Sequence, residues 1–196
     1  ARKRNSETGK LFGFDCAIEW WREDLKDFLK ENSHILNQPR GAGYWLWKPY
    51  IILKTLQRIS PDDILFYCDA GCDFVAPVGD YLEICKEDEK GLILFEGGHI
   101  NKKYTKGDCF RLMGCDTQEY TDCLQLTASF QLCRSTPFTL AFYEEHLQYA
   151  MDERILTDIE GGANYPEFVD HRHDQSILTN LAVRHEVTLL QDPSQW

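Results

Sequence analysis

Residues 64–73, Ile-Leu-Phe-Tyr-Cys-Asp-Ala-Gly-Cys-Asp, combine a short apolar run with an abrupt turn that carries two carboxylates. The run ILFYC predicts a strand buried on both faces, which is typical of parallel sheets. Ligands of open α/β sheets bind at the carboxyl ends of strands, where Asp69 could reach a bound cation. Because Asp and Gly are also ordinary turn formers, a surface turn explains the same residues.

On either side of this stretch the chain alternates between helical and strand patterns. Helices are predicted over 18–32, 44–59, 80–90, 136–156 and 173–186, and further strands over 91–97, 124–134 and 187–191. Buried strands that alternate with helices predict a single three-layer α/β domain over 1–196. No strand is predicted before residue 10, so the usual first strand of such a domain is either outside the sequence or hidden from pattern analysis.

Composition narrows the class of protein. The chain has 21 basic and 32 acidic residues, a net charge of −11, and an acidic surface repels phosphate backbones, so nucleic acid is not an expected partner. No apolar run reaches the length of a membrane span, and the basic residues 1–10 lack the apolar run of a signal peptide. The eight cysteines are irregularly spaced without a CxxC pair, which favours free thiols in a cytoplasmic protein.

A second candidate site lies in residues 40–50, RGAGYWLWKPY. Glycines before a helix start can expose backbone N–H groups to phosphate, and Arg40 and Lys48 add positive charge. Tyr44 and Trp47 could stack on a base or a sugar. The GxxxxGK[ST] spacing of a P-loop is absent. An aromatic cluster that buries the start of the helix explains the same residues without a ligand.

A third candidate is the stretch HRHDQS at 171–176, just before an apolar helix. Two histidines beside a carboxylate could form a metal site or an acid–base group. Asp174 could equally be the N-cap of the helix, and both interpretations stay open. Lys106, Asp108 and Gln125 are further polar candidates, for which a solvated surface is the simpler explanation.

Together these segments resemble a family of glycosyltransferases with the GT-A fold, found in bacterial surface-polysaccharide loci and in large DNA viruses that glycosylate their own capsids. The resemblance spans roughly residues 35–183 and is most specific in GYWxWKPY and RHDQS. The segments that carry it, in order, are RGAGYWLWKPYIIL, DDILFYCDAGCDF, YTKGDCF, QLTASF and HRHDQSIL.

The resemblance implies a Rossmann-like α/β/α domain, a nucleotide-sugar donor and a divalent cation, Mn²⁺ or Mg²⁺. In this family a DxD-type motif ends a central strand. Asp69 matches its first Asp, whereas Gly71 stands in the place of the second, so Asp73 is the expected substitute. His173, with His171 as the alternative, matches the late histidine that completes the metal site in related enzymes.

The expected reaction moves a hexose or deoxyhexose from a nucleoside-diphosphate sugar, with UDP-sugars favoured, to a glycan or glycoprotein acceptor. Asp174 and Gln175 are expected to lie near the anomeric carbon. If Asp174 is catalytic, it should face Asp69 across a space one sugar wide, about 10 Å. The expected donor-binding residues are Arg40, Tyr44, Trp47, Lys48, Asp69, Ala70, Gly71, Lys106, Asp108 and Gln125.

Two other functions remain open from the sequence. A carbohydrate- or nucleotide-binding module would use the Trp-rich segment without turnover. A Mg²⁺-dependent nucleotidyltransferase also places Asp at a strand end over a cation. A haloacid-type phosphatase is disfavoured, because DAGCD does not match the DxDx[TV] pattern that it requires.

Overall fold

A computed structural model describes residues 1–194, in which four strands form one open mixed sheet. The strands β1 (Ile64–Cys68), β2 (Leu92–Ile100), β3 (Leu124–Arg134) and β4 (Thr188–Leu190) lie in the order β1-β3-β2-β4. β3 is antiparallel to β1 and β2, and β4 is parallel to β2. The carboxyl ends of β1, β2 and β4 therefore share one edge of the sheet with the start of β3. The predicted α/β class is confirmed.

Helices of the described chain surround this sheet. They are α1 (Arg2–Leu11), α2 (Lys26–Glu31), α3 (Ser33–Leu36), α4 (Gly41–Tyr44), α5 (Trp47–Leu56), α6 (Gly79–Glu87), α7 (Asn101–Tyr104), α8 (Gly107–Leu112), α9 (Gln118–Thr121), α10 (Pro137–Ala150), α11 (Glu153–Leu156) and α12 (Asp174–Arg184), with a 3-10 turn at Arg22–Leu25.

The core consists of two apolar clusters on opposite faces of the sheet. Alternate side chains of a strand point to opposite faces, and β2 places Leu92 and Leu94 in one cluster and Ile93 and Phe95 in the other. The larger cluster packs β2 and β3 against α5, α10 and α12. The smaller cluster packs the other face against α6 through Cys85. Helices thus cover both faces, as the alternating pattern predicts.

The predicted position of β1 is wrong. Its apolar run predicts a strand between parallel neighbours, yet β1 lies at the edge of the described sheet and pairs only with the antiparallel β3. All five of its residues are half-buried. A continuous apolar run indicates that both faces of a strand are covered by other elements. It does not indicate whether the strand has one neighbouring strand or two.

Two predicted helices begin later than their patterns indicate, and one is broken. In the predicted helix 18–32 the first residues are extended, with Ile18 and Trp21 about half exposed at 52% and 53%. The predicted helix 44–59 begins only at Trp47, because the preceding residues have left-handed backbone. The predicted helix 136–156 divides into α10 and α11. The predicted strand 124–134 matches β3 residue for residue.

The eight cysteines are free thiols, as their spacing predicts. Cys85, Cys109, Cys115 and Cys133 are buried, and burial raises the pKa of the Cys85 thiol to about 11. A thiol held protonated in an apolar core behaves as a small hydrophobic side chain.

Candidate functional site

The ammonium group of Lys48 joins two of the sequence motifs at the carboxyl edge of the sheet. Its Nζ atom lies 3.5 Å from Asp69 Oδ1 and 3.3 Å from Asp174 Oδ2, and it donates to the carbonyl of Ala128 at 3.2 Å. Lys48 and Asp174 are almost completely buried, whereas the Asp69 side chain is 32% exposed. One buried cation thus connects a carboxylate at the surface with a carboxylate in the interior.

Three elements bring these groups together. Lys48 is the second residue of α5, Asp69 follows β1 directly, and Asp174 begins α12. A positive charge in the first turn of a helix is opposed by the helix dipole, so the site of Lys48 is favourable only because the carboxylates face it. A bulge in β3 supplies the third partner: Leu94 pairs with Gln131 and Phe95 with Thr127, which leaves residues 128–130 without partners in β2.

The spacing between the two carboxylates differs from the expected width of one sugar. A single ammonium group lies between Asp69 and Asp174, so the two motifs meet but no sugar-sized gap separates the carboxylates. Buried carboxylates require a counter-charge in a medium of low dielectric constant, and Lys48 provides it.

Burial perturbs the acid–base behaviour of this cluster. It raises the pKa of Asp174 to about 6; the Asp69 charge adds to the rise, and Lys48 opposes it. Burial and then the Asp69 charge hold the pKa of Tyr67 well above its usual value of 10.0, so its hydroxyl stays protonated and donates to Asp69 Oδ1. Asp174 is therefore the group of this cluster whose charge changes in mildly acidic solution.

The raised pKa of Asp174 should make stability depend on pH. The folded protein keeps the proton up to about pH 6, whereas the unfolded chain releases it near about pH 3.9. This stabilising contribution is complete below the unfolded pKa and is lost as pH rises through the folded pKa. Between about pH 4 and about pH 7, wild type should lose about 3 kcal/mol of unfolding free energy relative to Asp174→Asn. Urea unfolding of both proteins at several pH values measures this difference. If their free energies of unfolding change with pH in parallel, the prediction is contradicted.

The RGAGYW loop has an unusual backbone. Ala42, Tyr44 and Trp45 have φ of 51°, 52° and 59°, and His173 has φ of 54°. Such conformations cost side-chain-bearing residues about 1–3 kcal/mol each and occur preferentially at functional sites. The strained residues contact one another, since the Trp45 ring stacks on His173 with 5.5 Å between centroids and Tyr44 lies 4.9 Å away. Packing of Tyr44 and Trp45 against His173 therefore holds the RGAGYW loop and the HRHDQS segment in place.

Arg40 forms a second charged cluster beside this aromatic contact. Its guanidinium lies 2.8 Å from Asp170 and 3.3 Å from Asp158, and all three side chains are partly exposed. His173 Nδ1 bonds to the carbonyl of Leu156 at 2.8 Å, and its Nε2 is buried without a hydrogen-bond partner within residues 1–194. Burial lowers the pKa of His173, so the ring is neutral at physiological pH.

Gln125 and Gln175 support the site from the interior. The Gln175 side chain accepts from the N–H of Ala128 at 3.2 Å and donates to Gln125 at 2.9 Å. Gln125 is buried and donates in turn to the carbonyl of Tyr104 and the hydroxyl of Ser176. The pair fixes the start of α12 against the bulge of β3, and Gln125 does not reach the surface where a donor would bind.

Lys106 and Asp108 hold a loop rather than join the Lys48 cluster. The buried Lys106 ammonium donates to the carbonyls of Thr157 and Ile159. The Asp108 carboxylate accepts from the N–H of Gly161 at 2.6 Å. Both side chains therefore stabilise the chain that follows α11, next to the Arg40 cluster.

Trp47, Ala70 and Gly71 flank the Lys48 cluster. Trp47 Nε1 donates to the carbonyl of Gly41 at 3.0 Å, which closes the RGAGYW loop onto α5. Ala70 and Gly71 are exposed directly after Asp69, and a Cβ added at Gly71 would meet no atom within 4 Å. The turn after β1 is thus open to a ligand.

The expected metal ligands are not gathered around one point. Asp73 is paired with Arg4 at 2.9 Å, and His171 Nε2 contacts the carbonyl of Ile155 at 2.9 Å. The nearest carboxylate to His173 is Asp158, at 3.9 Å from Nε2. Across residues 1–194, no group of three or more His, Cys, Asp or Glu side chains is arranged to hold a metal ion. In this conformation the side chains do not fit a cation held by Asp69, Asp73 and His173.

Sequence reasoning missed three polar side chains at these clusters. Tyr67 lies two residues before Asp69, which directly follows β1, so alternation along the extended chain places both side chains on one face and could have identified Tyr67. Asp158 and Asp170 lie in irregular chain far from Arg40 in sequence, and no local pattern predicts their pairing.

No protein-family model, curated protein or solved structure matches this chain. Within the part of the chain that the structure describes, no helix is long and apolar enough to span a membrane.

Proposed function

We propose that this chain is a GT-A-type glycosyltransferase domain that moves a hexose or deoxyhexose from a nucleoside-diphosphate sugar, with UDP-sugars favoured, to a glycan or glycoprotein acceptor. One observation carries the proposal: Lys48, Asp69 and Asp174, from three of the five segments that carry the family resemblance, form one charge cluster. That cluster lies at the carboxyl edge of the sheet, where α/β proteins bind their ligands.

The arrangement suits a leaving group that gains negative charge. As the bond between the sugar and the diphosphate breaks, charge builds up on the phosphate oxygens. The Lys48 ammonium and the positive end of the dipole of α5 are fixed beside the open turn at Asp69, and preorganised positive charge stabilises such a transition state. The half-exposed Asp69 carboxylate can accept hydrogen bonds from sugar hydroxyls.

Asp174 and Gln175 have different parts in this proposal. Asp174 is nearly inaccessible, so it acts through Lys48, whose ammonium it holds on the side away from solvent. Gln175 ties the start of α12 to the backbone of Ala128, which also accepts from Lys48. The two residues thus keep the ammonium in one place while the donor changes charge.

The proposal includes a requirement for Mn²⁺ or Mg²⁺ for two reasons. The family resemblance implies a divalent cation, and Asp69 is the partly exposed carboxylate of the cluster. A divalent cation would neutralise the leaving diphosphate. No step is assigned to it, because Asp69, Asp73 and His173 are not gathered around one point within residues 1–194.

Thermal melting with a panel of nucleotide sugars, with and without Mn²⁺, tests the donor site. A donor at about a hundred times its Kd should add about 2.7 kcal/mol of unfolding free energy. We expect Asp69→Ala to fold but to lose the Mn²⁺-dependent part of that stabilisation. Asp80→Ala, which removes an exposed carboxylate in the first turn of α6, is the matched control. If Asp69→Ala keeps the full Mn²⁺ response, the site is assigned to the wrong carboxylate.

A further inference from the structure

Two polar side chains are buried in the core beside the Lys48 cluster. Gln131 lies in β3 and Tyr143 in α10, and neither has exposed surface. A buried amide or phenol is costly unless it is hydrogen-bonded, so the partners of both side chains have to lie within the core. Because residues that the structure describes enclose them, their hydrogen bonds do not depend on a ligand or on a partner molecule.

A chain of hydrogen bonds runs from α10 through β3 to Lys48. The Tyr143 hydroxyl lies 2.9 Å from Gln131 Oε1, and Gln131 Nε2 donates to the carbonyl of Ala128 at 3.1 Å. The same carbonyl accepts from Lys48 Nζ at 3.2 Å. A carbonyl oxygen has two lone pairs, and Gln131 and Lys48 together use both of them.

The bulge of β3 makes this support necessary. Residues 128–130 have no partners in β2, so that strand does not hold the carbonyl of Ala128. Gln131, three residues further along β3, donates to the carbonyl instead. The position of this acceptor of Lys48 therefore depends on a side chain of the core.

Tyr143 determines which way the Gln131 amide points. Burial first, and then the Cys133 thiol, hold the pKa of Tyr143 well above its usual value of 10.0, so its hydroxyl stays protonated. An amide oxygen only accepts, so the Tyr143 hydroxyl donates to Gln131 Oε1. This contact turns the amide nitrogen of Gln131 toward Ala128. A reversed amide would set two carbonyl oxygens against each other.

The Ala128 carbonyl is the closest of the three acceptors around the Lys48 ammonium. It lies at 3.2 Å, compared with 3.3 Å for Asp174 and 3.5 Å for Asp69. The two carboxylates attract the ammonium from different elements, and the carbonyl is the neutral acceptor that holds it between them. A misplacement of about 1 Å can cost about a hundredfold in rate, so preorganised charge needs such support.

We propose that Tyr143 and Gln131 are positioning residues for the Lys48 ammonium, which they act on through the carbonyl of Ala128. Neither side chain reaches a substrate, because both are fully buried. Their contribution to sugar transfer rests on the proposed function, whereas the positioning of the ammonium does not. Loss of either side chain should therefore lower turnover and leave the affinity for the donor unchanged.

Tyr143→Phe tests the proposal by removing only the hydroxyl. In ¹⁵N NMR of lysine-labelled protein, we expect the Lys48 ammonium protons to exchange with solvent about tenfold faster than in wild type. The kcat for release of nucleoside diphosphate should fall about tenfold, with an unchanged Kd for the donor. Tyr149→Phe is the matched control. It removes another hydroxyl of α10, which accepts from Arg184 at 3.0 Å, and it should leave the exchange rate and kcat unchanged.

A double variant separates positioning from stability. Tyr143→Phe alone leaves Gln131 Oε1 without its donor in the core and should lower the melting temperature by about 2–6 °C. Adding Gln131→Met replaces both polar groups with apolar groups of similar size, so most of this loss should be regained. The Ala128 carbonyl still lacks its second donor, so fast ammonium exchange and low kcat should persist.

Two results would overturn the proposal. One is an unchanged exchange rate of the Lys48 ammonium in Tyr143→Phe. The other is recovery of slow exchange and full kcat together with the melting temperature in the double variant, which assigns the pair a structural role alone. Faster exchange with unchanged kcat would contradict only the role in transfer. If wild type consumes no donor, the proposed function fails, and the exchange rates still decide the positioning.

Discussion

Replacing Lys48 with methionine should lower the free energy of unfolding at neutral pH by about 3–5 kcal/mol. Methionine fills a similar volume but removes the ammonium between Asp69 and Asp174. The buried Asp174 carboxylate then has no counter-charge and must either stay ionised in an apolar site or take up a proton. Urea unfolding monitored by circular dichroism measures the loss.

Two further variants separate the ion pair from a packing defect. Lys54→Met changes a partly exposed lysine of the same helix and should alter stability by less than about 0.5 kcal/mol. The double variant Lys48→Met/Asp174→Asn removes both buried charges and should regain about 1–3 kcal/mol relative to the sum of the single changes. Strictly additive effects would show that Lys48 and Asp174 are not coupled.

Asp174→Asn should reduce turnover by about a hundredfold to a thousandfold while the Kd for the donor changes little. Asparagine has the same shape but cannot hold the Lys48 ammonium by charge, so the ammonium moves toward Asp69. An effect confined to the transition state lowers kcat and leaves ground-state binding intact. Initial rates of nucleoside-diphosphate release and calorimetry with the donor give the two quantities.

A structural role alone would give a different pattern. If Asp174→Asn merely loosens α12, donor affinity should fall together with turnover, whereas loss of the buried ion pair lowers the melting temperature in either case. Asp80→Asn is the control, since Asp80 is also a carboxylate in the first turn of a helix but is exposed and lies outside the three motifs. It should keep the wild-type kcat.

Much of the fold could be predicted from the sequence, because the relevant signals are local. Apolar and polar residues alternate along part of β3, which predicts a strand, and its predicted range is correct. The start of α12 follows from Asp174 and the apolar periodicity after it. The start of α5 was placed too early, because Tyr44 and Trp45 are held in left-handed backbone by contacts with distant residues such as His173.

The candidate site was predicted less completely. Asp69 and Asp174 were identified by their position at a strand end and a helix start, but the sequence gives no measure of the distance between them. Lys48 was predicted only as a positively charged donor-binding residue. Its buried contact with both carboxylates depends on how α5 packs across β1 and β3, which the sequence does not show. Only the folded chain brings the charges of three separate elements to one point.

Release of nucleoside diphosphate by the wild-type protein is the most direct measurement of the proposed activity. The assay combines Mn²⁺, a panel of nucleotide sugars and a mixture of glycan and peptide acceptors, with Asp174→Asn and Asp80→Asn run in parallel. We expect wild type and Asp80→Asn to consume one donor, most readily a UDP-sugar, and Asp174→Asn to be nearly inactive. A donor that raises the melting temperature but is never consumed would contradict the proposal and identify a binding module without turnover.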